Sequence, residues 1–163
     1  MLFRSVTGIF TGTSFTVGLI TTLFNSGADG TEDGFVAKFD ASGSPLWAVG
    51  FGGATTDDAY GVAMDGSGAV YLGGRFASNA ITLGATTLTN TVQGGLSFDG
   101  LVAKFSASGT PIWARAVTGN GDETVTSIAA TTAGEIAAAG WGTADTSFYL
   151  GNSEFRLKRN RSN

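Results

Sequence analysis

Apolar residues recur along the chain in short runs that alternate with polar or small residues, and each run stops at a glycine-rich turn. Phe35-Val36-Ala37-Lys38-Phe39 is followed by the turn sequence Asp40-Ala41-Ser42-Gly43. Pro45 introduces Leu46-Trp47-Ala48-Val49, which ends at Gly50 and Gly52-Gly53. After a polar loop at 55–58 comes Tyr60-Gly61-Val62-Ala63-Met64. Asp65-Gly66-Ser67-Gly68 then turns the chain, and Ala69-Val70-Tyr71-Leu72 returns it as a hairpin. Residues 80–83 and 86–89 read as a further short strand pair. No stretch carries capped helical periodicity, so an all-β fold is expected.

The pattern repeats. Residues 33–48 read DGFVAKFDASGSPLWA and residues 99–114 read DGLVAKFSASGTPIWA, identical at 12 of 16 positions at an offset of 66. The same offset, read without a gap, matches Gly8, Phe10, Thr16, Gly18 and Thr21 to Gly74, Phe76, Thr82, Gly84 and Thr87. Downstream, Gly53, Val62, Gly68 and Gly74 match Gly119, Ile128, Gly134 and Gly140. A weaker third copy runs over 140–151, where Phe148-Tyr149-Leu150-Gly151 is shifted by one inserted residue. Each period holds four principal strands and a small hairpin insertion. Repeated four-stranded meanders are the blades of a β-propeller. Neither face of one blade can be buried without a neighbour.

The order Asp-Gly-Phe-Val-Ala-Lys-Phe, Gly43, Trp47, Gly52-Gly53, Asp57-Asp58-Ala-Tyr-Gly-Val-Ala-Met-Asp-Gly-Ser-Gly resembles the bacterial SBBP-type β-propeller repeat. The resemblance covers roughly residues 5–151 and is strongest at 33–76 and 99–142. It implies a secreted or cell-surface propeller with a binding or structural role and no inherited catalytic residues. The second copy departs from the pattern, with Glu123-Thr124 in place of Asp57-Asp58 and Thr131-Thr132-Ala133-Gly134 in place of the Asp65 turn.

The expected fold is thus a partial β-propeller of about two and a half blades, each an antiparallel four-stranded sheet with a small hairpin insertion. Residues 1–32 would be the C-terminal part of a preceding repeat, 33–98 repeat 1, 99–151 repeat 2 with the start of a third, and 152–163 a non-repeat basic tail. A closed ring takes roughly 4–8 blades. The chain is therefore expected to be a fragment of a longer array, or to complete the ring by self-association of its edge strands.

Composition narrows the chemistry. The 163 residues contain no cysteine and no histidine, which removes disulfides, thiolate and His-ligated metal sites, and imidazole-based catalytic triads. Arg156, Lys158, Arg159 and Arg161 crowd the end, so residues 1–155 hold 13 acids against 5 bases, a net charge of −8. That body repels phosphate backbones, and no nucleic-acid partner is expected. Residues 1–28 superficially resemble a secretory signal, but Thr, Gly and Ser interrupt the apolar stretch, which belongs to the repeat. No apolar run is long enough for a transmembrane segment. Asn160-Arg161-Ser162 fits a glycosylation sequon, a common pattern.

Candidate sites are few. Trp47 and Trp113 stand four residues after Gly43 and Gly109, a Gly-x-x-x-Trp spacing also seen in quinoprotein propellers and, loosely, in sialidase Asp-boxes. With Gly74 and Gly140 these are read as structural repeat positions, the tryptophans packing between sheets. Lys38 and Lys104 are expected to point outward. Asp57, Asp58 and Asp65, and separately Asp29, Glu32 and Asp33, could offer oxygen ligands to calcium. Neither set has EF-hand spacing, and turn formation accounts for most of them. No catalytic set and no obligatory cofactor is expected. The functional expectation is a non-catalytic extracellular binding or structural scaffold. Its protein or glycan partners would meet loops 12–30 and 78–95. The alternative is a carbohydrate-active hydrolase or lyase on a propeller scaffold.

Overall fold

The computed structural model describes residues 4–19, 21–28 and 30–143, with the backbone of 147–148. The basic tail 152–163, the last residues of the weak third copy, and Asp29 lie outside the described residues. The fold is all-β, with no helix among the described residues.

The chain order is β1 (Arg4–Phe10), β2 (Ser14–Val17), β3 (Thr21–Phe24), β4 (Asp33–Phe39), β5 (Pro45–Phe51), β6 (Asp57–Met64) and β7 (Val70–Phe76). There follow β8 (Ala80–Leu83), β9 (Thr86–Thr89), β10 (Asp99–Phe105), β11 (Pro111–Thr118), β12 (Glu123–Ala130), β13 (Ile136–Gly142) and β14 (Ser147–Phe148). All pairings are antiparallel. The first sheet runs β1-β4-β5, the second β14-β11-β10-β7-β6, and the third is the pair β12-β13. Hairpins β2-β3 and β8-β9 stand apart from these ladders.

The grouping follows the repeat, because β1, β7 and β13 are successive copies of one strand. β4 and β10 are copies of the next, and β5 and β11 of the third. Within one sequence period, however, β4 and β5 join the first sheet, whereas β6 and β7 open the second. The first and second sheets are therefore each built from the end of one period and the start of the next.

Four hairpin turns share one chemistry. In the β4–β5 turn, Asp40 N–H donates to the Ser44 carbonyl at 2.9 Å, and Gly43 N–H donates to the Asp40 carbonyl at 3.1 Å. Gly43, Gly68, Gly109 and Gly134 hold φ between +83° and +89°, the left-handed region a glycine-bulge hairpin requires. Gly74 and Gly140 have a different reason. Tyr60 and Thr126 are the extra residues of bulges in β6 and β12. These bulges press the carbonyls of Asp58 and Thr124 onto Gly74 and Gly140, so closely that no Cβ fits.

The insertion hairpins correct the gapless register. Val17 pairs with Thr21 across a three-residue loop, whereas Leu83 pairs with Thr86 across only two. The equivalent of Thr21 is thus Thr86, not Thr87, and the local offset is 65. The hydroxyls of Thr16 and Thr22 meet at 3.1 Å, as do those of Thr82 and Thr87. Leu23 and Leu88 are both buried. One extra residue between β9 and β10 restores the period of 66.

The sheets pack face to face. One core lies between the first and second sheets and joins Val36 and Phe51 to Leu72, Phe76, Leu101 and Phe105, with Ile81, Leu83 and Leu88 of the β8-β9 hairpin. A second core joins Tyr71, Val102 and Val117 to Val125, Ile128 and Ala138 of the third sheet. The other face of the first sheet, with Phe35 and Ala37, is covered by Phe15, Val17 and Leu23 of β2-β3. Strands β6 and β12 approach most closely at Gly61, where a Cβ would sit 3.0 Å from the Ser127–Ile128 backbone.

Candidate functional site

Polar side chains concentrate at the two ends of the stacked sheets. At the turn end, Asp65 caps its own turn, accepting from Ser67 N–H at 2.9 Å, Ser67 Oγ at 2.6 Å and Ala69 N–H at 3.1 Å. Tyr71 donates its hydroxyl to Asp65 at 3.0 Å and lies 3.1 Å from the Gly134 carbonyl of the third sheet. Burial pushes the Asp65 carboxyl up, but the hydrogen bonds from Ser67, Tyr71 and Ala69 outweigh it and hold it below the usual range. Lys104 reaches Asp65 at 3.8 Å and lies over the Tyr71 ring.

Lys38 does not point outward. It is 2% exposed, and its Nζ donates to the Gly68 carbonyl at 2.7 Å and the Ala107 carbonyl at 3.2 Å, both in turns of the neighbouring sheet. Desolvation lowers its pKa, opposed by the charge of Asp65. Strand alternation does set its direction, but the face it points to is a sheet interface, not solvent. Trp47 makes the same crossing. Its Nε1 donates to the Ala107 carbonyl at 3.0 Å, its ring stacks near Phe105 at 6.1 Å, and it fills the space a Gly109 side chain would take. Trp113 occupies the corresponding place on the second sheet, 6.4 Å from Tyr71.

At the opposite end, Asp57 is fully buried. It accepts from Gly53 N–H at 2.8 Å, Ser78 N–H at 3.1 Å and Ser78 Oγ at 2.6 Å. Desolvation outweighs these bonds, with a smaller push from Asp33, and raises its pKa to about 6. Asp33 and Asp99, equivalent residues at the starts of β4 and β10, are also buried and raised by desolvation. They accept from Ser26 N–H, and from Thr91 N–H and Oγ1, respectively. Asp58 pairs with Arg75 Nε at 2.7 Å and accepts from Tyr60 at 2.8 Å. The Arg75 guanidinium lies 3.7 Å over the Phe98 ring. Burial, and then the bond to Asp58, push the Tyr60 hydroxyl up to about 12. Burial and the adjacent Asp58 raise Glu32, and Arg75 opposes them.

The calcium candidates are therefore not brought together. Asp57 and Asp58 open β6 and Asp65 follows its end, roughly 25 Å away along an extended strand. Among the described residues no group of three or more acidic side chains converges as a metal site would require. Asp33 joins Asp57, and Glu32 joins Asp58, but their accepted bonds come from the protein itself.

Residues 12–30 and 78–95, expected as irregular contact loops, contain the ordered hairpins β2-β3 and β8-β9. A cavity of about 260 Å³ lies between Thr22, Leu23, Phe24, Asp33, Phe51 and Thr82. It falls below the roughly 300–1,000 Å³ of ordinary small-molecule sites. Sequence reasoning missed Ser78, Asn90 and Arg75 as organising residues. Asn90 is buried and bridges the Phe76 and Ser97 carbonyls; Asn25, its equivalent only in the 65-residue register, donates to the Thr31 carbonyl. Arg75 gave no repeat signal, because Ile9 and Trp141 stand at its equivalent positions.

No family model matches the chain. A stretch of 55 residues, 34% of the chain, is 40% identical to the regulatory protein FlaEY of Caulobacter vibrioides. The matched stretch spans 6% of that protein's length, and shorter than one repeat period as it is, it marks a local similarity.

Proposed function

We propose that this chain is a β-propeller repeat module of the SBBP type that acts as a non-catalytic binding or structural scaffold at the cell surface or outside the cell, within a longer repeat assembly. The observation that carries this reading is an inter-sheet joint whose residues recur one period on. Trp47 and Lys38 both cross to backbone carbonyls of the next sheet, and Trp113 and Lys104 stand ready at the same positions one period on. A side chain committed to a neighbour's backbone supports architecture and leaves nothing for turnover.

The carboxylates support the same reading. Asp57 has the raised pKa sought in a general acid, yet it is enclosed and its oxygens are occupied by Gly53 and Ser78. Asp58 is neutralised by Arg75. A hydrolase would need a carboxyl pair facing an open cleft, whereas Asp57 is enclosed by Gly53 and Ser78 and Asp58, its neighbour on the strand, is held by Arg75 and Tyr60. The similarity to a short part of FlaEY fits a portable module carried in much larger proteins. Protein or glycan partners would meet the outer faces of β2-β3 and β8-β9, where Thr16, Thr22, Thr82 and Thr87 are exposed. A glycan array run beside a glycosidase and lyase panel tests this: binding without turnover is expected, and turnover of any substrate overturns the non-catalytic reading.

A further inference from the structure

The joint between the first and second sheets is complete, and its copy one period later is not. Trp47 has the Ala107 carbonyl and the open surface of Gly109; Trp113 Nε1 has no acceptor among the described residues. Lys38 is buried under the turns of the next sheet, whereas the side chain of Lys104 is 24% exposed. β7 is flanked by β6 and β10, but its copy β13 pairs only with β12 among the described residues. Among the described residues no hairpin of the β10–β11 type lies beside β13; the turn of such a hairpin would bring a carbonyl to Trp113.

The chain carries one such hairpin whose turn has no tryptophan. At β4–β5 the turn 40–43 repeats turn 106–109, and Gly43 has open space where Gly109 holds Trp47. Its companion strand β1 fits less well than the strands it copies. Ser5 Oγ is buried without a partner where Tyr71 bonds Asp65, and Val6 and Ile9 are 46% and 43% exposed. β1 and β13 are copies of one strand and can take the same place beside β4.

We propose that the edge of β13 left unpaired among the described residues, together with Trp113 and Lys104, is a docking surface for the β4–β5 hairpin of a second copy of this chain. β13 takes the place of that copy's β1 and pairs with its β4, as β7 pairs with β10. The Ala41 carbonyl of the second copy then meets Trp113 Nε1 as Ala107 meets Trp47. The proposal rests on the equivalence of the repeated strands and does not require a closed ring or any particular ligand.

Sedimentation velocity of the full chain, from low micromolar to near-millimolar concentration, tests it. The expected result is a species that grows from 16.5 kDa toward at least twice that mass. Trp113→Ala should weaken the association about tenfold, as loss of a central aromatic anchor does. Trp113→Phe, which keeps the ring and removes the N–H, should weaken it less, and it carries the test if the alanine variant fails to fold. A synthetic peptide of residues 99–118, added in excess, should cap β13 and return the chain to one copy plus one peptide. A single 16.5-kDa species at every concentration, or association indifferent to both Trp113 variants and to the peptide, overturns the proposal. Either result leaves the glycan and turnover assays to judge the scaffold reading separately.

Discussion

Replacing Asp57 by asparagine should flatten the dependence of stability on pH. Asp57 is enclosed at the start of β6, and its pKa is about 6 in the folded chain against an ordinary 3.8. Between those values the folded state holds a proton that the unfolded state has released. Unfolding free energy must then fall as pH rises through this window, and level off above it. A shift of about two units at 1.36 kcal/mol per unit gives roughly 3 kcal/mol between about pH 4 and pH 7. Asp33 and Asp99 are raised for the same reason and add to the same slope. Asp40 and Asp65 are lowered instead, so their contribution is present above the ordinary range and is lost only at more acidic pH. Urea unfolding followed by tryptophan fluorescence, at several pH values with constant m-value, measures the slope. Asp57→Asn should remove about 3 kcal/mol of that pH dependence, leaving the part due to the other carboxyls. A wild-type stability that rises from pH 4 to pH 7, or a variant with the wild-type slope, would refute the reasoning.

Other substitutions probe the joints between sheets. Trp47→Ala should cost about 2–4 kcal/mol in denaturant unfolding, and Trp47→Phe, which loses chiefly the bond to Ala107, about 1 kcal/mol. Gly74→Ala should destabilise by more than about 2 kcal/mol, because the Asp58 carbonyl occupies the added methyl's place. Gly43→Ala, strained only by its positive φ, should cost about 1–2 kcal/mol in the same assay. Calcium or a chelator should leave the melting temperature unchanged, since Asp57 and Asp58 stand at one end of β6 and Asp65 at the other; a rise with calcium would revive the metal reading.

The strands and their turns were legible because local chemistry determines them: the alternation around Lys38, the turn at Asp40, and the Pro45 start of β5 all appear where the pattern put them. The hairpin register was not, since Thr21 matches Thr87 as well as it matches Thr86, and only the loop lengths across Gly18 and Gly84 decide between them. Lys38 was misplaced because alternation tells which face a side chain takes, while the neighbouring sheet decides whether that face is wet. Asp33 and Asp99 repeat faithfully, yet a carboxylate that caps a loop and one that binds a ligand look alike in sequence. Arg75 and Asp58 meet only because their strands pair at that register.

The propeller reading itself depends on how successive sheets are oriented. Residual dipolar couplings from the backbone amides of β1-β4-β5 and of β7-β10-β11 measure the rotation that relates them in solution. A propeller of roughly 4–8 blades requires about 45–90° between neighbours, around one axis running past β6 and β12. That rotation is the predicted result. Sheets related by translation with little rotation, as in a solenoid, or aligned to within about 30° as in a sandwich, would contradict it.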